Sequence, residues 1–294
     1  MIKIKHLDHI AMAAPNAHEQ LERLHRLLGF KSLYEFDGLR TAGFGGGTSQ
    51  VNGTDMEFEV IDPGGPESFV QRFLDESGPG LHHIAIEVHD FDETLEEMKR
   101  LGLTPFGGVS EDGQWRFTFL HPKETGGVLW QPFVWTREPR QFDRSAGGGV
   151  VGLKRVDHVS IAVPNRDKQV EFQERAFGMT VQGSWSDPND GYDGAVMAIP
   201  GSQLQFEVIS PARDDSFVAR FLRERRPGMH HICCEVESVE AAAAALRENG
   251  IEPFGGVINS HWKKHTFIHP RDSGGVLFQL FEEVGGGQPS AVSD

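Results

Sequence analysis

The sequence predicts an α+β fold of four βαβββ modules, paired into two half-open barrel domains, on three observations. The first is a long internal repeat: LDHIAMAAPN from Leu7 returns as VDHVSIAVPN from Val156, and GLHHIAIEV ending at Val88 returns as GMHHICCEV ending at Val236. HPKETGGVLWQ from His121 likewise returns as HPRDSGGVLFQ from His269. A period of about 148 residues means tandem domains rather than a solenoid. The second is a weaker repeat inside each half, HIA at His9 answered by HIA at His83. The third is that each of these units reads as strand, helix and then about three strands.

Each element has its own sequence reason. A β-branched strand carrying a histidine opens every module. A helix follows and stops at glycine: AHEQLERLHRLLG at Gly29, FDETLEEMKRLG at Gly102, RDKQVEFQERAFG at Gly178 and VEAAAAALRENG at Gly250. Leu21, Leu24, Leu27 and Leu28 fall on one helical face, Asn16 is placed to cap its start, and glycine suits the left-handed residue that ends such helices. Alternating runs then end in MEFEVI, GVLWQPF, LQFEVI and GVLFQLF, which read as strands. SFVQRFLDE and SFVARFLRE read as one or two helical turns joining paired modules. The domains are therefore expected at residues 1–136 and 154–284. TREPRQFDRSAGGGVVG supplies a linker over 137–153, and residues 285–294 a frayed tail.

Composition narrows the partners. A formal charge of −15 argues against nucleic acid and anionic membrane. The lack of a long apolar run, and an N-terminus without a signal-peptide core, favour a cytoplasmic protein. Cys233 and Cys234, the only cysteines, are adjacent in an apolar run and read as small buried hydrophobes.

Alternation along LQFEVI puts Gln205, Glu207 and Ile209 on one face and Leu204, Phe206 and Val208 on the other. Glu207 then points into a concavity, and Gln279 lies with Leu277 and Phe281. A carboxylate in an apolar strand needs a partner, and a cation is one. Two histidines, a glutamate and a glutamine, each from a different strand of one half, make a nitrogen and oxygen site for a divalent transition metal: Co, Ni, Mn, Fe or Zn. His82 and His230 are expected to point away from His83 and His231. His121 and His269 read as fixing a turn set by Pro and Gly. GFGGGTSQ near Gly45 lacks the Lys-Ser/Thr and helix of a phosphate loop.

These motifs resemble the vicinal oxygen chelate superfamily, the glyoxalase, bleomycin resistance and extradiol dioxygenase proteins, and most of all its methylmalonyl-CoA epimerases. The DH strand, the G-[LM]-HH-[IM] strand and the HPK...GVL strand are met twice, over nearly everything but linker and tail. The resemblance implies a glyoxalase-like fold and metal ligands His9, Glu59, His83 and Gln131 in the first half, with His158, Glu207, His231 and Gln279 in the second. In the epimerases the second ligand is Gln and the fourth Glu; here the order is reversed. Their catalytic Glu, on the strand before the second ligand, has no acidic counterpart in DGAVMAIP, where Ala195 or a neighbour stands, or in FGGGTSQVNG.

Four protein ligands on an octahedral ion leave two positions for a small-molecule substrate with adjacent oxygens. The expected enzyme stabilises an enolate, as an epimerase, isomerase or lyase, with Glu59 or Glu207 as base by analogy with glyoxalase I. His261, Lys264 and His265 are further base candidates. RFLRERR from Arg220 and WKKH from Trp262 could form a basic rim for a CoA or carboxylate. The alternatives are an iron(II) dioxygenase of the extradiol or hydroxyphenylpyruvate type, and a binding protein without turnover. Oligomeric state is left open, a homodimer included.

Overall fold

The computed structural model describes residues 1–36, 43–51, 53–111, 113–136, 149–259 and 263–283. The first lobe runs β1 (Ile4–Ala13), α1 (Ala17–Leu28), β2 (Lys31–Phe36), β3 (Phe44–Gln50), β4 (Glu57–Pro63), α2 (Phe69–Ser77), β5 (Gly80–Val88), α3 (Phe91–Leu101), β6 (Pro105–Glu111), β7 (Trp115–Leu120) and β8 (Leu129–Trp135). The second repeats it with β9 (Leu153–Ala162), α4 (Arg166–Phe177), β10 (Thr180–Asp187), β11 (Tyr192–Ala198), β12 (Gln205–Pro211), α5 (Phe217–Glu224), β13 (Gly228–Val236), α6 (Val239–Glu248), β14 (Phe254–Asn259), β15 (Lys263–Ile268), the short α7 (Pro270–Ser273) and β16 (Phe278–Glu283). This is the strand, helix, three-strand module four times over. Among the described residues no helix is long and apolar enough to cross a membrane.

Local chemistry sets the helix limits. Asn16 accepts from the Glu19 N–H and Asn165 from that of Lys168, satisfying donors that the first helical turn leaves over. Gly29, Gly102 and Gly178 close their helices with φ of 74°, 73° and 64°. The fourth ends one residue before its expected glycine: Asn249 is the cap and Gly250 takes the left-handed turn just beyond it. Ser68 and Ser216 cap the connecting helices α2 and α5.

Each lobe forms one eight-stranded sheet, in the order β2-β3-β4-β1-β5-β8-β7-β6 and its equivalent β10-β11-β12-β9-β13-β16-β15-β14. β1 and β5 pair antiparallel at the centre and each is flanked by a parallel partner, β4 and β8. The four strands that carry the histidines, glutamate and glutamine are therefore neighbours. One apolar core takes side chains from both sheets, among them Ile10, Met12, Phe58 and Trp130 from the first and Val159, Phe206, Cys234 and Phe278 from the second. The opposite sheet faces are left to form the sites.

The lobes meet with pseudo-twofold symmetry. Gln20 donates to the Ser273 carbonyl and Gln169 to that of Thr125. Gly127, at φ 106°, lies so near the other lobe that a Cβ would stand 2.1 Å from the Pro227 carbonyl oxygen, and Gly275 meets Pro79 in the same way. Trp130, fully buried, packs on Phe177 and Phe206 of the second lobe. Of the expected linker, 149–152 is docked: Val150 and Val151 N–H donate to the Arg26 and Leu27 carbonyls. Residues 137–148, and the tail at 285–294, lie outside the described residues.

Candidate metal centres

Strand register builds the site. Glu59 on β4 and His83 on β5 both stand opposite Ala11 of β1, while His9 of β1 and Gln131 of β8 both stand opposite Ala85 of β5. Because alternate residues share a face, His9, Glu59, His83 and Gln131 face one concavity. β12, β9, β13 and β16 set Glu207, His158, His231 and Gln279 in the same relation.

The side chains converge. Glu59 Oε2 lies 3.8 Å from His9 Nε2 and 3.5 Å from His83 Nε2. Glu207 Oε2 lies 3.7 Å from both His158 Nε2 and His231 Nε2. In each triad one ligand atom per residue lies within 4.8 Å of the others, and all six residues are buried. Gln131 and Gln279 stand beside them, next to His83 and His231. His9 Nε2, His158 Nε2, His231 Nε2, Glu207 Oε2 and Gln131 Oε1 are buried with no protein hydrogen-bond partner. Leaving such atoms unpaired costs about 1–3 kcal/mol each. Native interiors seldom tolerate several orphans around one point.

A second layer fixes the rings. Asp8 Oδ2 is 2.8 Å from His9 Nδ1, and Asp157 Oδ2 is 2.7 Å from His158 Nδ1. Each bond turns Nε2 toward the cluster, the usual carboxylate–histidine arrangement behind a metal-binding imidazole. Burial works against charge on His9, but Glu59 and Asp8 outweigh it and push the ring up to about 9. Burial and the neighbouring His82 and His9 instead hold His83 well below the ordinary range. Burial raises the Glu59 carboxyl. In the second lobe His158 is raised and His231 lowered in the same sense.

Simple alternation fails at one point. His82 and His230 do not point away: the Nδ1 atoms of His82 and His83 are 2.9 Å apart, as are those of His230 and His231. The register slips between Ala11 and Met12, so His82 is the extra residue of a β-bulge, which re-aims its ring; His230 does the same in β13. Burial drives both outer histidines down to about 4, so each meets its neighbour as a neutral ring. Phe73 and Phe221 pack edge-on against them.

His121 and His269 do fix turns, accepting from the Lys123 and Arg271 N–H groups. Lys264 pairs with Glu240 and Glu282, and alternation puts it on the face opposite Gln279. It is therefore not placed to act as the base. His265 and Lys263 share the Gln279 face, while the base candidate His261, and Trp262 of the expected basic rim, lie outside the described residues. The residue opposite Glu207 on the preceding strand is Val196, the neighbour of Ala195, and opposite Glu59 it is Thr48, so no acid stands there in either lobe.

The sequence reading missed four residues. Asp8 and Asp157 were visible only as the recurring Asp-His pair. Glu57, two positions before Glu59 and opposite His9, shares the site face, and burial lifts it to about 7; Gln205 replaces it in the second lobe. Cys233 lies on the site face, with its Sγ 3.2 Å from Gln279 Oε1, whereas Cys234 is in the core.

Fold and clusters together define a duplicated, two-lobed protein with a His-Glu-His cluster in the concave face of each sheet. The sequence profile of the Glyoxalase/Bleomycin resistance protein/Dioxygenase superfamily matches residues 8–119 and again 157–268, and the chain belongs to that superfamily. Human mitochondrial methylmalonyl-CoA epimerase is 35% identical over 136 residues, covering 45% of this chain and 76% of the human protein. An ethylmalonyl-CoA/methylmalonyl-CoA epimerase of Cereibacter sphaeroides is 34% identical over 133 residues, 44% of this chain and 97% of its own. A solved variant of 4-hydroxymandelate synthase from Streptomyces coelicolor follows 99% of this chain and 95% of its own at a TM-score of 0.74 and 15% identity, a likeness of fold. The epimerases thus match about one lobe, and the synthase fold accompanies both.

Proposed function

We propose that this chain is a metal-dependent enzyme that holds a divalent ion through His9, Glu59, His83 and Gln131, and another through His158, Glu207 and His231 with Gln279 beside them. It would use the ion on a small substrate with two adjacent oxygens, in epimerase, isomerase or lyase chemistry. The observation that carries the reading is the set of buried imidazole, carboxylate and amide atoms that face one another without protein partners. Their nitrogen and oxygen chemistry fits Co, Ni, Mn, Fe or Zn. When bound, such an ion supplies Lewis-acid stabilisation of the negative charge left when a proton is lost beside a carbonyl.

The protein's own groups do the rest. Asp8 and Asp157 hold His9 and His158 by Nδ1, so that Nε2 faces the substrate side. The proton acceptor in the first lobe is a carboxylate of the β4 face, Glu59 or its neighbour Glu57. In the second, Gln205 fills the latter place and Glu207 is left. The relatives named for methylmalonyl-CoA make an acyl-CoA ester the first substrate class to try. The Thr48 and Val196 positions, which carry no acid, argue for a different base if that substrate is taken.

The test is proton exchange. Protein loaded with cobalt, nickel or manganese and held anaerobically should exchange deuterium beside the carbonyl of a 2-oxo acid or acyl-CoA ester, and His83→Ala together with His231→Ala should abolish it. Substrate-dependent oxygen uptake with iron, lost in His231→Ala, would instead establish the dioxygenase reading, which the His158-Glu207-His231 triad also suits. Ligand binding unaffected by EDTA, without stoichiometric metal, would leave a binding protein.

A further inference from the structure

The two clusters share their ligand residues but not the residues between them. Ala85, under the first, stands across from both His9 and Gln131. Its equivalent in the second lobe is Cys233, across from both His158 and Gln279. Both positions are closed to solvent. The exchange changes the state of the glutamine. Gln131 Oε1 is buried with no protein partner, whereas Gln279 Oε1 is 3.2 Å from Cys233 Sγ, whose S–H donates to it. A methyl group asks nothing of the amide beside it. A thiol bonds to its oxygen and competes for it.

Resting on the metal reading above, we infer that Cys233 is a positioning residue that withdraws Gln279 from the second cluster, so that the two lobes hold their ions with different numbers of protein donors. The first lobe offers four donors, with the Gln131 oxygen ready. The second offers His158, Glu207 and His231, whose facing atoms His158 Nε2, His231 Nε2 and Glu207 Oε2 have no protein partner and are aimed at the same point. A six-coordinate ion would then keep two open positions in the first lobe and three in the second. Three positions admit a two-oxygen substrate and one further small ligand, such as water or a diatomic gas. Two admit the substrate alone. A single chain would in this way carry two sites of different coordination chemistry, built from the same four letters.

The experiment isolates each lobe in the full chain. His231→Ala confines binding to the first and His83→Ala to the second. Manganese(II) is titrated into each by calorimetry, and water-proton relaxation counts the waters on the bound ion. The second lobe should bind roughly 10–100-fold more weakly, the usual effect of a residue that orients a ligand, and hold one more water. In the first-lobe background Gln131→Ala should weaken binding by a similar factor and add a water. In the second-lobe background Gln279→Ala should change neither. Cys233→Ala there should strengthen binding and remove a water, while Cys233→Ser, which keeps a donor for Gln279, should behave as the parent. Ala85 already occupies the matching place in the first lobe, so Cys233→Ala is expected to fold. Equal affinity and hydration in the two lobes, or an equal loss from Gln131→Ala and Gln279→Ala, overturns the inference and leaves the metal reading standing. Manganese bound in neither background overturns both.

Discussion

Replacing Glu207 by Gln keeps the shape of the site and removes the one carboxylate that faces and would neutralise a cation there. In the structure Glu207 Oε2 is 3.7 Å from two imidazole nitrogens and is buried without a hydrogen-bond partner, as those nitrogens are. Three orphaned atoms at about 1–3 kcal/mol each set the scale of what an ion relieves, roughly 3–9 kcal/mol. At a metal concentration about 100 times Kd, mass action stabilises the folded chain by about 2.7 kcal/mol per site. For a chain of this size that raises Tm by about 5 °C. The assay is thermal unfolding with and without cobalt or manganese in a His83→Ala background, where only the second lobe can respond. The parent should show the rise, and Glu207→Gln should lose it while its metal-free Tm serves as a control for folding. An undiminished rise in Glu207→Gln would mean that the ion binds elsewhere, and the cluster would be a packed polar interior with no metal role.

Other consequences follow from neighbouring contacts. Asp8→Asn and Asp157→Asn should each weaken metal binding in their own lobe by about 10–100-fold without unfolding it, because the imidazole loses the group that fixes its ring; calorimetry reads this directly. His6 lies 3.2 Å from Glu87 and 3.6 Å from Asp8, and although burial opposes its charge, those carboxylates raise it above 6.5. Its contribution is therefore complete below pH 6.5 and is lost as pH rises through the raised value, so Tm should fall over that range in the parent and not in His6→Gln. Trp130→Ala should cost about 3–5 kcal/mol in chemical denaturation. Because Trp130 packs on Phe177 and Phe206, both lobes should weaken together in one transition rather than the first lobe alone. Gly127→Ala should destabilise by about 1–3 kcal/mol or more, since φ is 106° and the new methyl would meet the Pro227 carbonyl.

The fold was legible because its signals are local and repeated. The cap at Asn16, the glycines at Gly29 and Gly178, and alternation in LQFEVI are each written in a few letters, and duplication repeats the pattern. The inward faces of Glu207 and Gln279 followed from alternation alone. His82 was misread for the same reason, since a bulge depends on how β5 pairs with β1 and no letter of β5 announces it. Lys264 and His265 could not be assigned to faces until β15 was set in register against β16. Cys233 is a different case, because its parity with His231 already placed it on the site face and Cys234 in the core. The apolar character of the run hid a distinction that the strand period contains.

What the two lobes keep and what they change therefore separates along physical lines. The histidines, the glutamate, the glutamine and the Asp behind the first histidine recur, and these are the groups whose geometry an ion would demand. The residues that differ lie between or around them on the same concave face. Ala11 becomes Ser160, whose hydroxyl is buried without a protein partner. Ala85 becomes Cys233 and Glu57 becomes Gln205, while Trp115, Phe117 and Trp135 become Lys263, His265 and Glu283. The first concavity is thus walled by aromatic rings, with Trp115 stacked on Trp135 at 5.9 Å and tilted over His9 at 6.5 Å. The second carries ionisable groups in their place. A copied site under no demand would drift at the cluster as freely as around it. Within the two concave faces the differences surround the shared cluster, which is the pattern the proposed sites predict if the lobes take different molecules.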